Sequence, residues 1–174
     1  MNLDYTTIQN TLQNQFPNQV TDFVIIHDML TFEVVADSNY EVMSFLKNDP
    51  SLSFNFLTDV CGIHFPDNDP DKQLCVVYHM HNWVANVRIR FKCYLPINNP
   101  TIQSVVALFL SANWQERETY DFYGIIFKGH PQLKRILNMD EMEVFPLRKE
   151  YPLEDGGRTD KDDRFFGRQE SSCV

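Results

Sequence analysis

The stretch "NVRIRFKCYL", residues 86–95, sets the tightest limit on how this chain can fold. Val87, Ile89 and Phe91 alternate with Arg88, Arg90 and Lys92, a period of two that sends one set to each face of an extended strand. A strand with one apolar and one cationic face must lie in a sheet covered on one side only. The runs "LSFNFLTDVCGIHF" and "QLCVVYHM" before it read as two more strands, with the turn-rich "FPDNDPDK" between them. Upstream, "VTDFVIIHD" and "LTFEVVAD" form a hairpin around "HDM". Two helices fit the remaining N-terminal pattern. Tyr5, Ile8, Leu12 and Phe16 recur at helical spacing until Pro17 and Asn18 stop them. Ser38 and Glu41 make a capping-box pattern that opens a helix through about Lys47, ended by "NDP". After "PINNP", the run "TIQSVVALFLSANWQERETYDFY" has helical character broken near Ser111–Asn113, where Asn113 and Glu116 resemble a second cap. The order α-ββ-α-βββ-αα predicts a two-layer α+β domain with a mixed β-sheet and helices on one face.

From Asn138 onward the texture changes. "FPLRKEYPLEDGGRTDKDDRFFGRQESSCV" is rich in Pro, Gly and charge with no sustained period, so alone it cannot offset its ordering entropy. This divides the chain into an α+β domain over 1–137 and an extended C-terminal arm over 138–174 that needs a surface to lie on. The net charge of −9 is unevenly spread: residues 1–60 hold eight acids against Lys47 alone. A chain so charged is a poor match for nucleic acid or an anionic lipid surface. The N-terminus lacks the basic and apolar regions of a signal peptide, and no apolar run is long enough to span a membrane, so a cytoplasmic location is expected. Cys61, Cys75, Cys93 and Cys173 are widely spaced without a C-x-x-C, which favours reduced thiols over a cluster or structural zinc site.

The densest chemistry lies in "WQERETYDFYGIIFKGHPQLKRIL", residues 114–137. Its acids could serve acid–base catalysis, but Glu116 and Glu118 point about 200° apart on a helix. Arg117 and Asp121 stand four apart and can pair, and Arg117 beside Glu118 and Asp121 would hold both ionised. A fixed charge network is therefore expected rather than a proton shuttle. His130 has no acid, Ser or Cys at a spacing that names it a base, and His130-Pro131 reads as a turn. His79 and His81 share a strand face as metal ligands can, but no third ligand is visible nearby; Cys61 and His64 are weaker still. Arg88, Arg90 and Lys92 fit a solvated strand face, or contact with an acidic partner. Neither Gly-rich phosphate-loop pattern occurs, so no nucleotide or flavin site is expected.

The same stretch closely resembles the signature of the C subunit of the proton-pumping NADH:quinone oxidoreductase, respiratory complex I. The resemblance is carried by Glu116, Arg117 and Glu118, then Asp121, Phe122 and Tyr123, then His130, Lys134, Ile136 and Leu137. "FLTDVCGIHFP", "VVYHMHNWVANVRIRFK" and "PLRKEYPLE" resemble further blocks in family order, so the likeness covers roughly residues 50–155. One departure is Val144-Phe145, where the family commonly has a Gly-His-like pair before "PLRK". The resemblance implies a non-catalytic subunit of the hydrophilic arm, close to the quinone-reducing end, with no cofactor of its own. FMN and iron–sulfur clusters would belong to partner subunits. It implies partners in complex I subunits D and B, of which the first helps form the quinone site and the second carries the terminal cluster. It also implies a peripheral place on the cytoplasmic side of the cell membrane. The interface and structural residues it suggests are Glu116, Arg117, Glu118, Asp121, Phe122, Tyr123 and Gly124 on the helix. Gly129, His130, Pro131, Lys134 and Arg135 follow in the turn, and Pro146, Leu147, Arg148, Tyr151 and Pro152 in the arm.

Two other readings remain open from the sequence. An equivalent subunit could serve a membrane-bound hydrogenase or a ferredoxin-driven relative, since nothing in the chain contacts the electron donor. A free-standing metal enzyme using His79, His81 and His130 is a rival of a different class.

Overall fold

The computed structural model describes residues 3–151; Pro152 and the rest of the arm to Val174 lie outside the described residues. Helix α1 (Tyr5–Gln15) starts on Asp4, whose side chain accepts the Thr7 N–H at 2.7 Å, a cap that offsets one unpaired donor of the first turn. Its spacing does what the sequence predicts: Ile8 and Leu12 are fully buried. Strands β1 (Val20–Ile26) and β2 (Met29–Val34) form the antiparallel hairpin, and α2 (Asn39–Asn48) follows. Ser38 precedes α2, but its side chain makes no capping bond, so the box read from Ser38 and Glu41 does not form.

Strands β3 (Phe56–His64), β4 (Leu74–Asn82) and β5 (Val87–Leu95) complete a five-stranded sheet in the order β1-β2-β5-β4-β3. All its pairs are antiparallel except β2 with β5, which makes the sheet mixed, as the sequence order implies. Along β5 the alternation holds: Ile89, Phe91, Cys93 and Leu95 are buried while Arg88 is exposed. On the buried face Phe91 stacks between Phe32 and Tyr78, at ring-centroid distances of 5.7 and 4.8 Å. Residues Ile8, Leu12, Val42, Met43 and Leu46 of the two helices belong to the same core cluster.

After β5 the structure departs from the helical reading. Residues 101–103 are a short strand, β6 (Thr101–Gln103), and residues 105–111 are turns. Helix α3 (Ala112–Tyr123) and strand β7 (Ile126–Lys128) follow, and β7 pairs in parallel with β6. One helix, not two, therefore fills this region. Ser111 flanks it without a side-chain capping bond, and the Asn113–Glu116 cap does not form, because Glu116 bonds elsewhere.

Helix α3 lies along β3, the edge of the sheet. The Thr119 hydroxyl donates to the Val60 carbonyl and the Gln115 amide to the Thr58 carbonyl, both at 3.3 Å, so the edge is covered rather than left to pair with another chain. The approach is close because position 62 has no side chain. A Cβ built on Gly62 would sit 2.5 Å from Cδ2 of Tyr123. Gly62→Ala should therefore force the Tyr123 ring away and cost about 1–3 kcal/mol, as overpacking does. Urea unfolding should show a lower midpoint at unchanged slope; an unchanged midpoint would mean that α3 is not seated on β3 as described.

Candidate functional site

Two carboxylates on α3 face inward, and their surroundings push them in opposite directions. Glu116 is fully buried. One oxygen accepts the Ser104 hydroxyl at 2.6 Å and the other the Val105 N–H at 2.7 Å, which ties α3 to the turn after β6. None of the ion pairs among the described residues includes it. Burial pushes its carboxyl up to about 7, against the lesser pull of those two donors. Asp121, further along the helix and equally buried, is surrounded by donors. Its Oδ2 accepts the successive N–H groups of Ile136, Leu137 and Asn138 at 3.0, 2.8 and 3.0 Å. Its Oδ1 accepts Arg135 Nη1 at 2.8 Å and the Asn138 amide at 3.0 Å. Burial alone would raise this carboxyl; the backbone donors and Asn138 outweigh it and hold the group well below the usual carboxylate range.

The pairing of Arg117 with Asp121 expected from their spacing does not occur. Asp121 points into the fold and takes Arg135, fourteen residues on, because only a buried partner can meet a buried carboxylate. Arg117 lies over the Trp114 ring at 4.9 Å and donates to the carbonyls of Lys134 and Arg135 at 3.1 and 3.3 Å. Glu118 is exposed, so the three acids share no catalytic centre.

The turn after the helix is fixed at several points. Gly124 ends α3 at φ 74°, a left-handed position where glycine is unstrained, and its N–H bonds to the Tyr120 carbonyl at 2.8 Å. Gly129 sits at φ 83°. His130 accepts the Gln132 N–H on Nδ1 at 3.0 Å, so its Nε2 carries the proton donated to the Asn113 carbonyl, also at 3.0 Å. His130 is thus a brace between the start of α3 and the turn, with Pro131 exposed beside it. Phe122 and Tyr123 are half-buried, and Lys134 is exposed with its carbonyl used by Arg117.

Residues 138–151 form turns that lie back on this helix end. Arg135 donates through Nη2 to the Met142 and Val144 carbonyls at 2.6 and 3.2 Å. Phe145 takes the guanidinium groups of Arg135 and Arg148 over its ring, at 5.1 and 4.8 Å. It also covers Gly124, where an added Cβ would meet the ring at 2.5 Å. Arg148 donates to the Tyr123 carbonyl at 2.8 Å, Leu147 N–H to the Phe122 carbonyl at 3.2 Å, and Lys149 N–H to His64 Nδ1 at 2.9 Å. Pro146 is half-buried, and Leu147 and Tyr151 are exposed. Ser104 was not singled out by the sequence, and Asn138 and Phe145 were marked only as a change of texture and as part of a departure from the family pattern. Phe145 had a visible signal, an aromatic residue between two arginines where the family pattern is broken.

The histidines do not converge. His79 accepts Arg90 Nε at 2.8 Å and His81 bonds the Asn86 side chain at 3.2 Å, while His130 braces α3. Among the described residues no cluster of three potential metal-ligating side chains is present. A groove of about 290 Å³ between β3 and α3 is lined by Cys61, Glu118 and Phe122 among others. Burial pushes the Cys61 thiol up to about 11, so it is no ready nucleophile there. Among the described residues no helix is long and apolar enough to cross a membrane.

The fold and this site define a class of protein: a two-layer α+β module whose charged residues hold its own chain in place. The chain belongs to the family described as respiratory-chain NADH dehydrogenase, 30 Kd subunit, which it matches over residues 32–156. It is 36% identical over 171 residues to the C subunit of the NADH-quinone oxidoreductase of Roseiflexus sp., with 97% of each chain covered. It is 39% identical to the same subunit of Streptomyces coelicolor and 41% to that of Mycolicibacterium gilvum, spanning 54% and 61% of their lengths and 78% and 79% of its own. Among solved structures, one described as "Nqo5 of the trypsin-resistant fragment (1-134)" superposes with a TM-score of 0.60 at 29% identity, covering 72% of this chain and 98% of that one. A chain in the structure of a membrane-bound sulfane sulfur reductase, an archaeal respiratory membrane complex, shares the fold at a TM-score of 0.69 and 19% identity, with 85% of each chain covered.

The two carboxylates generate opposite pH signatures. Glu116, raised from 4.5 to about 7, favours the folded state when protonated; stability should fall as pH rises through that window, by about 3 kcal/mol. Glu116→Gln keeps an acceptor for Val105 and cannot ionise, so its urea midpoint should not fall between pH 5 and 8, where His64 and His79, lowered by burial, act in the opposite direction. A wild-type midpoint that changes with pH just as the Gln variant's does would contradict the raised Glu116. Asp121, lowered from 3.8, acts the other way: its contribution is present above that value and lost at lower pH. Arg135→Lys keeps the charge but not the fork that reaches Asp121, Met142 and Val144 together. It should cost about 1–3 kcal/mol, read as a drop in melting temperature, and no drop would count against the clasp.

Proposed function

We propose that this chain is a non-catalytic structural subunit in the hydrophilic arm of a proton-translocating NADH:quinone oxidoreductase, seated near the quinone-reducing end. In this reading complex I subunits D and B are its neighbours, FMN and iron–sulfur clusters lie in partner subunits, and membrane association on the cytoplasmic side is indirect, through the complex. The observation that carries the reading is the use made of the charged signature. Glu116, Asp121, Arg117, Arg135 and Arg148 all spend their bonds on the chain's own backbone and side chains, at the helix end where the family resemblance is strongest. Such a site orders a surface; it offers no paired acid and base to a substrate. The membership of the family, and relatives named as the C subunit of an NADH-quinone oxidoreductase, support the choice of machine.

A second reading keeps the role and changes the machine. The same fold occurs in a membrane-bound sulfane sulfur reductase, so an equivalent place in a hydrogenase or a ferredoxin-driven complex is the alternative. Neighbouring coding sequence discriminates them: a flavin- and NADH-binding subunit favours the first, a nickel-binding large subunit the second.

Affinity purification of the chain from native membranes should bring oxidoreductase subunits with it, while the isolated chain should bind no flavin or iron and oxidise no NADH. Arg135→Glu sets two like charges against each other in the buried clasp, at a cost of about 3–5 kcal/mol, and should deplete the chain from the complex. Stoichiometric flavin or iron on the isolated chain, or NADH oxidation by it, would sink the proposal.

A further inference from the structure

A second cluster lies in the turn joining β4 to β5, and the charged signature does not use it. Val84 is 98% exposed, Trp83 64% and Phe56 41%. They are not scattered. Phe56 meets Trp83 edge to face at 5.3 Å, and His81 lies against the same indole at 4.7 Å. Strand register puts Phe56 opposite His81 and His81 opposite Arg88, so the aromatic tip and the exposed Arg88 share one face of the sheet.

The tip is held rigid from below. Asn82 is buried; its amide donates to the Leu52 carbonyl at 2.7 Å and its oxygen accepts the Ala85 N–H at 2.9 Å. His81 bonds the Asn86 side chain at 3.2 Å. Exposed apolar groups on a turn braced this way are unfavourable in water but incur little ordering cost on binding, since the geometry is already set. Charge then selects what they fit. Arg88, exposed, follows along the same face, and no carboxylate lies within ion-pair distance of it among the described residues; Arg90 beyond it is half-buried and bonded to His79. In a chain with net charge −9, Arg88 is thus a cation without a local anionic partner among the described residues. Trp and Arg together are also the residue types that dominate binding energy at protein interfaces.

We infer that the β4–β5 turn is a docking knob: Trp83 and Val84 enter an apolar pocket of a different protein subunit, and Arg88 pairs with a carboxylate on its rim. The inference rests on the proposal that the chain is a subunit of an oxidoreductase complex, and it names a contact surface distinct from the α3 clasp. Val84→Asp and Arg88→Glu should leave the melting temperature of the isolated chain unchanged, because both side chains are exposed. In competition with wild-type chain in the same membranes, each variant should be recovered in the assembled complex roughly tenfold less well.

A photo-crosslinking residue at position 84, in complex purified from native membranes, should join the chain to another subunit of that complex at a peptide carrying Asp or Glu. Replacing that carboxylate by Lys should restore incorporation of the Arg88→Glu variant. Crosslinks only to a second copy of this chain, to its own residues 152–174 or to lipid would overturn the inference. So would an assembled complex in which position 84 crosslinks to nothing. If even the unaltered chain brings down no oxidoreductase subunit, the proposed function fails first and the knob with it. Recovery of the complex with an unreactive position 84 defeats the knob alone.

Discussion

The carboxylate of Asp121 is the interaction on which the C-terminal third of the described structure depends. It sits in the last turns of α3, where the helix dipole disfavours an anion, and it is fully buried. Such a charge persists only if its lone pairs are filled, and here they are: three consecutive backbone N–H groups, the Asn138 amide and Arg135 converge on it. The consequence is architectural. Residues 136–138 have their backbone donors satisfied without a helix or strand, so the chain can reverse direction beside α3 in an irregular conformation. The position of Arg135 follows from the same bond, and through Arg135 so does that of residues 142–145.

Glu116 shows what the same side-chain chemistry does with fewer donors. With two hydrogen bonds and no cation, burial pushes it up to about 7, whereas Asp121 is held well below the usual carboxylate range. Two carboxyls with separated affinities on one helix would invite an acid–base mechanism if they faced a common cavity. They do not. Glu116 is bonded to the turn after β6, and Asp121 to the turn after β7. The perturbations are therefore structural in origin, each set by what the carboxyl holds in place.

What could be read from the sequence follows from the range of the interactions involved. The β5 alternation was legible because one uncovered sheet face imposes a period of two over nine residues. The spacing of Ile8 and Leu12 was legible for the equivalent helical reason. The strands β6 and β7 were not: each has three residues, and they pair with one another across the whole of α3, so neither leaves a local period. The site was half legible. Its residues stood out by type and by family resemblance, but their bonds did not, because spacing on a helix suggests Arg117 for Asp121 while burial demands a partner from outside the helix. Phe145 was marked only as a departure from the family pattern, because its role exists only once Arg135 and Arg148 are folded against it.

The three arginines of this region share a use that explains why the segment tolerates so little secondary structure. Arg117 serves the carbonyls of residues 134 and 135; Arg135 serves those of 121, 142 and 144; Arg148 serves that of 123. Backbone carbonyls at a helix end and in turns have no ladder to satisfy them, and each left buried and unpaired is costly. A guanidinium offers five donors in a plane, enough to reach two or three carbonyls from one buried or half-buried position, which a lysine ammonium at the end of a flexible stem does not match. The cations here thus do the work of strands. Among the described residues Arg90 too is held by His79, and that is why Arg88, exposed beside an aromatic tip, stands out as a group arranged for something beyond the fold.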